Sequence, residues 1–341
     1  MPLELARLVV PALIAFLVVV GLDWRSAAKG LIPPGFAVPW RRALAGIFVA
    51  LVLWAGVTAP LSNLGRALPQ PDVSKITIPQ LFLLHALMVT AGLVWFLLGF
   101  AGVRPARRAP EPGAPPPAPP QTSGWTGADE PSEALLEPLA QPAPPPLPPL
   151  ETASVPSPAL PASLTHRFAE QFGLVAPSVP KEVGLGVVLG IAAWVVVLAG
   201  VMAIGLGLWA LGGDKALPKE PPALVPWIAG LPIVVRLGIS LSAGVVEEWF
   251  FRGFLQPRLG ILASTGLFVL AHFSYGQPFM LVGIAILSLI YAELVRRRQN
   301  IWPAMAAHAL FDGVQLLIVI PGALRFMHTQ APKAAAVLGF W

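Results

Sequence analysis

Two adjacent glutamates and an arginine lie inside a long apolar stretch of this sequence, in the segment G-V-V-E-E-W-F-F-R-G-F. They are Glu247, Glu248 and Arg252. A charged side chain at the centre of a membrane helix costs roughly 2.5–3.5 kcal/mol, so these groups must face protein, water or one another. Glu248 and Arg252 are four residues apart on one helix face and can pair. Glu247 is rotated from that face by about 100° and has no partner at this spacing. The pattern predicts that Glu247 is available for chemistry.

Two further apolar segments carry ionisable groups. His272 lies in G-L-F-V-L-A-H-F, and His308 and Asp312 are four residues apart in N-I-W-P-A-M-A-A-H-A-L-F-D-G. Counting about 1.5 Å per helical residue from the nearest polar loops places Glu247, His272 and His308 in the cytoplasmic half of a membrane. Because three separate helices bring these groups to one level, the sequence predicts a shared, hydrated site.

The composition indicates a membrane protein built of helices. Of the 341 residues, 56% are hydrophobic and 11% are charged, and none is cysteine. A soluble protein cannot bury so much apolar surface, so we expect an all-α, polytopic transmembrane bundle of about eight spans, with a disordered proline-rich linker. The predicted spans lie at about residues 7–22, 43–61, 80–102, 184–212, 223–258 (bent or broken at Pro232), 261–273, 279–296 and 301–321.

The chain divides into five predicted regions. Residues 1–103 form an N-terminal three-helix membrane region of unknown role, and the proline-rich residues 104–163 form the linker, which cannot bury a core. Residues 164–182 provide an interfacial helix and a connector, residues 183–323 form the second membrane region, and residues 324–341 form a tail. In the second region, Gly186-x-x-x-Gly190 predicts close helix packing.

The basic residues cluster in short loops, which predicts membrane topology and no nucleic-acid partner. Four such clusters fall on one side, which we take as the cytoplasmic side of a bacterial membrane. The site then opens towards the cytoplasm, and both chain ends lie on the opposite side.

The three motifs Glu247-Glu248-x-x-x-Arg252, Phe268-x-x-x-His272 and His308-x-x-x-Asp312 occur in that order. Together they resemble the motifs of the CAAX-protease and bacteriocin-processing (CPBP) family of intramembrane proteases, which includes the type II CAAX-prenyl endopeptidases. The resemblance covers about residues 184–321. It implies an endopeptidase that cleaves near the C-terminus of a membrane-associated, CAAX-like protein or peptide within the lipid bilayer.

The resemblance also implies roles for the motif residues. Glu247 would take a proton from a water held between it and His272, and His308 with the residue four positions on would stabilise the oxyanion. Asp312 occupies a position where the family more often has asparagine. An ionised aspartate cannot donate to an oxyanion, so Asp312 orients His308, is protonated, or binds a metal.

The resemblance further implies that Glu248, which we count with the catalytic set, forms a structural ion pair with Arg252. Metal-dependent and metal-free chemistry both stay open. By residue type, Glu247, His272, His308 and Asp312 are candidate ligands of one divalent ion such as zinc, although no H-E-x-x-H motif is present.

Other classes of function are also compatible with intramembrane polar residues. Ser240 and Ser242 could be nucleophiles, but no G-x-S-x-G surrounds them. A proton- or ion-coupled transporter uses similar groups, but the two membrane regions show no inverted repeat. A non-catalytic scaffold or bacteriocin-immunity protein is a third alternative. The remaining membrane histidine, His85, is expected to make an interhelical hydrogen bond rather than to act in catalysis.

Overall fold

The computed structural model describes residues 3–63, 72–100, 163–213, 223–273 and 278–329. All regular elements in these ranges are helical and none is a β-strand, which confirms the predicted all-α class. The helices are α1 Leu3–Ala28, α2 Pro39–Asn63, α3 Ile78–Phe100, α4 Leu164–Gln171, α5 Val179–Gly212, α6 Leu224–Gly230, α7 Ile233–Leu259, α8 Ile261–Ala271, α9 Pro278–Arg298 and α10 Trp302–Phe326.

Within the described ranges, five helices are long and apolar enough to cross a membrane, namely α1, α2, α3, α5 and α10. The number rises to six if α6 and α7 count as one broken span. The chain is therefore an integral membrane protein, while the eight crossings stay a prediction. The predicted linker up to residue 162 and the tail from residue 330 lie outside the described residues.

The break between α6 and α7 occurs where the sequence predicts it. The two helices meet at 119°, and Leu231 adopts an extended conformation directly before Pro232. A proline ring clashes with a helical residue that precedes it, so the first helix ends before Leu231 and a new helix, α7, begins after Pro232. The bend expected at Pro232 is confirmed.

Small residues let α5 and α10 approach closely. A Cβ atom on Gly186 would lie 2.3 Å from the Pro303 carbonyl oxygen, and one on Gly190 would lie 2.9 Å from the Ala307 Cα atom. Both distances are shorter than a van der Waals contact, so only glycine fits at these positions. The packing role predicted for the two glycines is confirmed.

Helix α7 packs against α3 and α10 through two further glycines. A Cβ atom on Gly244 of α7 would meet the Ala309 backbone nitrogen at 2.6 Å, and one on Gly92 of α3 would meet the Trp249 ring at 2.2 Å. These contacts place α7 between the N-terminal helices and the C-terminal helix. The depth of α7 relative to α3 is thereby fixed.

Helix α1 contacts the end of α7 through two basic side chains. Lys29 donates to the Pro257 carbonyl at 2.7 Å, and Arg25 donates to the Arg258 carbonyl at 3.2 Å. Carbonyl groups at a helix C-terminus lack intrahelical partners, and cations stabilise them. The predicted N-terminal region is therefore attached directly to the second membrane region.

The short helix α4 presents aromatic side chains to the protein. Phe172, which ends the helix, is fully buried and lies 4.4 Å from the Trp249 ring, and Phe168 lies 5.1 Å from the Phe96 ring. Leu164 is exposed. The apolar face that the sequence assigned to a membrane surface thus packs against α3 and α7 at two of its three positions.

Candidate active site

The two glutamates lie in a widened part of α7. From Ala243 to Leu255 the backbone is π-helical, and the N–H group of Gln256 bonds the Phe251 carbonyl five residues earlier. Such i→i+5 stretches are rare and occur frequently at functional sites. Because residues five apart are one turn apart in this geometry, Ser242 and Glu247 both face α3. The spacing of residues in the sequence predicts a regular α-helix here, so the π-helical stretch is a correction to that expectation.

The structure brings Glu247 and His272 together from α7 and the end of α8. Glu247 Oε2 lies 3.9 Å from His272 Nε2, and the two side chains are 14% and 16% exposed. His272 Nδ1 donates to the Phe268 carbonyl at 2.8 Å, because a carbonyl oxygen only accepts. In the neutral imidazole, Nε2 is then an acceptor that faces Glu247.

The gap between Glu247 and His272 suits a bridging water. A separation of 3.9 Å is too long for a direct hydrogen bond, whereas a water about 2.8 Å from each atom would contact both. Both side chains are partly exposed, although the Glu247 Oε2 atom itself is buried, so the gap lies just beneath the accessible surface. The arrangement can therefore polarise one water between a carboxylate and an imidazole.

Glu248 lies in a different environment from its neighbour. It is fully buried and accepts two hydrogen bonds at Oε1, from Arg252 Nη1 at 2.9 Å and from His308 Nδ1 at 2.8 Å. The ion pair that the sequence predicted between Glu248 and Arg252 is present. The bond to His308 joins α7 to α10 and was not predicted.

The structure gives His308 a different carboxylate partner from the one the sequence suggested. His308 Nε2 lies 3.6 Å from Asp312 Oδ2, which exceeds hydrogen-bond distance, whereas Glu248 bonds its Nδ1. The spacing of four residues along α10 does bring Asp312 to the same side as His308. Glu248 is nevertheless the residue that orients the ring.

Phe268 contacts members of all three motifs. The Arg252 guanidinium lies 4.2 Å from the centre of the Phe268 ring, and the rings of His272 and His308 lie 4.6 Å and 6.0 Å away. Arg252 also donates to Ser288 Oγ at 2.9 Å. The phenyl ring thus separates the buried ion pair from His272 and fixes the position of the guanidinium.

Two site residues were missed in the sequence. His85 of α3 contacts Ser242 Oγ through Nδ1 at 2.9 Å and Glu247 Oε1 through Nε2 at 3.1 Å. The expected interhelical hydrogen bond is therefore present, but its partner is the candidate base, which the sequence left unpartnered. Tyr291, fully buried on α9, packs its ring 5.4 Å from that of His308. Neither residue belongs to a motif, so only the fold reveals them.

The candidate ligands do not fit a metal site in this arrangement. Within the described ranges, no group of three or more His, Asp or Glu side chains is placed to hold a metal ion. Glu247 Oε1 and His308 Nδ1 already have partners, and the other atoms lie as two separate pairs, Glu247 Oε2 with His272 Nε2 and His308 Nε2 with Asp312 Oδ2. The set proposed from the sequence, Glu247, His272, His308 and Asp312, therefore supports no step that passes through a metal.

Comparison with known proteins gives a partial match. Residues 229–314 match the family model described as type II CAAX prenyl endopeptidase Rce1-like. Over 96 residues, 28% of this chain, the sequence is 26% identical to the uncharacterized protein YpbD of Bacillus subtilis (strain 168). The match covers 48% of that protein, so the chain spans about half of the relative's length. No solved structure matches.

The matched segment contains all three motifs, from Glu247 to Asp312, and the helices α1 to α5 precede it. The resemblance that the motifs carry is thereby confirmed by an independent comparison. Residues 229–314 are thus similar to the type II CAAX prenyl endopeptidase Rce1-like family.

Proposed function

We propose that this protein is an intramembrane endopeptidase in which Glu247 and His272 activate a water. Its substrate is a membrane-associated, CAAX-like protein or peptide, cut near the C-terminus. The observation that carries the proposal is the 3.9 Å gap between Glu247 Oε2 and His272 Nε2, which belong to two helices and are partly exposed in an apolar surrounding. The family match over residues 229–314 supports a protease.

The first chemical step is attack of the water on the scissile carbonyl carbon. Glu247 Oε2 takes one proton of the water while His272 Nε2 accepts a hydrogen bond from the other. The oxygen is left with a lone pair directed at the carbonyl carbon, and a tetrahedral oxyanion forms. Glu247 then gives its proton to the leaving amine, so the carboxylate is restored when the C–N bond breaks.

His308 is placed to stabilise the oxyanion. Its Nδ1–H is bonded to Glu248, so Nε2 is the atom that can face the substrate. Nε2 donates only when the ring is an imidazolium, and Glu248 and Asp312 provide the negative charge that stabilises this form. Asp312 then acts on the charge of His308 and is not itself a donor.

The geometry also contains a line of groups that resembles a serine hydrolase. Ser242 Oγ, the His85 ring and Glu247 Oε1 are joined by contacts of 2.9 Å and 3.1 Å. However, Ser242 Oγ also lies 3.1 Å from the Ile239 carbonyl of its own helix and can donate to it. Glutamate-activated water is favoured because His272 faces Glu247 directly and has no place in a serine mechanism.

The predicted topology accompanies this function. The proposed protein crosses a bacterial cytoplasmic membrane eight times and opens its site to the cytoplasmic side. A substrate held at the membrane by a lipid group would then present its C-terminal residues at the depth of Glu247. A transporter and a non-catalytic scaffold are the alternative functions, and measurements of peptide cleavage and ion flux distinguish them from a protease.

The test is peptide cleavage by the full chain in proteoliposomes, with prenylated and unprenylated C-terminal peptides. We expect E247Q to lose about 10²–10⁴-fold in kcat, the range of general-base catalysis. Glu293 is a matched control because it is half-exposed and pairs with Arg296 and Arg297. E293Q should therefore keep wild-type activity.

Three results would contradict the proposal. Full activity of E247Q would show that Glu247 is not the general base. Inhibition by a chelator that is reversed by added zinc would establish a metal mechanism. Ion flux in wild-type liposomes that E247Q abolishes, without any cleavage, would establish a transporter.

A further inference from the structure

His85 contacts Glu247, the proposed base, although it lies outside the segment that matches the family model. It lies on α3, Ile78–Phe100, whereas the match begins at residue 229. We propose that His85 is a positioning residue of the active site, which holds Glu247 Oε1 so that Oε2 faces His272. The inference rests on the proposed function, and it assigns a role to the N-terminal region.

The direction of the hydrogen bond follows from the chemistry of its two ends. A carboxylate only accepts, so the proton in the 3.1 Å contact between Glu247 Oε1 and His85 Nε2 belongs to Nε2. At the other end of the ring, Ser242 Oγ can donate to Nδ1 or accept from it. Nε2 carries a proton in either arrangement, so the bond to Glu247 is kept.

The two oxygens of Glu247 differ because of this contact. Oε1 is bonded to His85, whereas Oε2 is buried and has no hydrogen-bond partner within the described part of the chain. A carboxylate held at one oxygen cannot rotate freely about its last bond. Oε2 is thereby kept towards His272 and ready for the water, as preorganised catalysis requires.

The buried face of α3 fixes the depth of His85. Met88, Gly92 and Trp95 follow His85 at spacings of three and four residues and are all buried. Gly92 contacts the Trp249 ring, and Trp95 packs 5.2 Å from the Phe254 ring. Both aromatic partners belong to α7, the helix of Glu247, so α3 is packed against α7 at two further positions along the same face.

Substitutions of His85 can distinguish the role of its Nε2 atom from that of its Nδ1 atom. The amide nitrogen of glutamine occupies about the place of Nε2, and that of asparagine about the place of Nδ1. We expect H85Q to keep kcat within about 3-fold of wild type, because it still donates to Glu247. H85N and H85A should lose about 10- to 100-fold in kcat with KM nearly unchanged, since a hydrogen bond to a charged group is lost.

Thr90 provides the matched control on the same helix. It is exposed, and among the described residues its hydroxyl bonds the Ala86 carbonyl of its own helix. T90A should match wild type in kcat and in melting temperature. The pH profile of kcat should have the same shape in H85Q as in wild type, because the role assigned to His85 needs only its Nε2–H.

The activities of the His85 variants and of E247Q test the role of His85 separately from the proposed protease function. If wild type is active and E247Q is not, full activity of folded H85A and H85N overturns the role of His85 alone. The same follows if H85Q is as impaired as H85A. If wild type cleaves no peptide, thermal unfolding of H85A, E247A and the double variant still decides, because additive shifts in melting temperature would show that the two side chains do not interact.

Discussion

The buried pair of Arg252 and Glu248 allows stability and activity to be separated. The substitution R252M replaces the guanidinium with an apolar side chain of similar length and leaves the Glu248 carboxylate fully buried. Removal of one partner of a buried ion pair costs about 3–5 kcal/mol, because the remaining charge is uncompensated. His308 still donates to Glu248, so we expect a value near the lower end of this range.

A loss of about 3 kcal/mol corresponds to a fall in melting temperature of about 4 °C for a chain of 341 residues, at an unfolding entropy of about 2 cal/mol/K per residue. The measurement is thermal unfolding of the purified protein in detergent, followed by tryptophan fluorescence, with peptide cleavage measured on the folded fraction. R252M should also lose activity, because Glu248 stays bonded to His308 but is no longer fixed in place by the guanidinium.

The double variant E248M/R252M is the informative control. It removes both charges, and replacing a whole buried pair by apolar residues is often neutral or stabilising. We expect its melting temperature to exceed that of R252M while its activity stays low, because His308 Nδ1 has lost its acceptor. A melting temperature of R252M within 2 °C of wild type, or a double variant no more stable than R252M, would refute the reasoning.

Two further predictions concern the serine and the glycine contacts. S242A should lose no more than about 5-fold in kcat, because a neutral hydrogen bond to His85 contributes about 1 kcal/mol; a loss as large as that of E247Q would instead identify a serine nucleophile. G190L should lower the melting temperature by about 1–4 °C, since overpacking costs about 1–3 kcal/mol and its Cβ atom would lie 2.9 Å from Ala307 Cα. G205L on the same helix, where no atom lies within 4 Å of the added Cβ, should leave the melting temperature unchanged.

The features that the sequence predicted correctly depend on short spacings. Glu248 and Arg252 pair because residues four apart share a helix face. Pro232 ends a helix because its ring restricts the residue before it, and Gly186 and Gly190 mark a close contact because they lack a Cβ atom. Each rule acts within one helix, so the fold around it was not needed.

The features that were missed depend on contacts between distant helices. His85 and Glu247 are 162 residues apart, and His308 and Glu248 are 60 apart. Two carboxylates were available to His308, Asp312 four residues along its own helix and Glu248 on α7, and the packing of α10 on α7 decides between them. The π-helical turns were also missed, because no local residue pattern distinguishes them from a regular helix.

The roles of Glu247 and Glu248 follow from their different surroundings in the structure, and not from their order in the sequence motif. Glu248 is fully buried and bonded to a guanidinium and an imidazole, so its charge is compensated and no water can reach it. Glu247 has a single donor, from α3, and is 14% exposed beside His272. A general base must accept a proton from a water, which requires access and an unpartnered oxygen. Both glutamates have a buried Oε2 atom without a hydrogen-bond partner among the described residues. Of the two, only Glu247 is partly exposed and lies 3.9 Å from Nε2 of a second imidazole, that of His272.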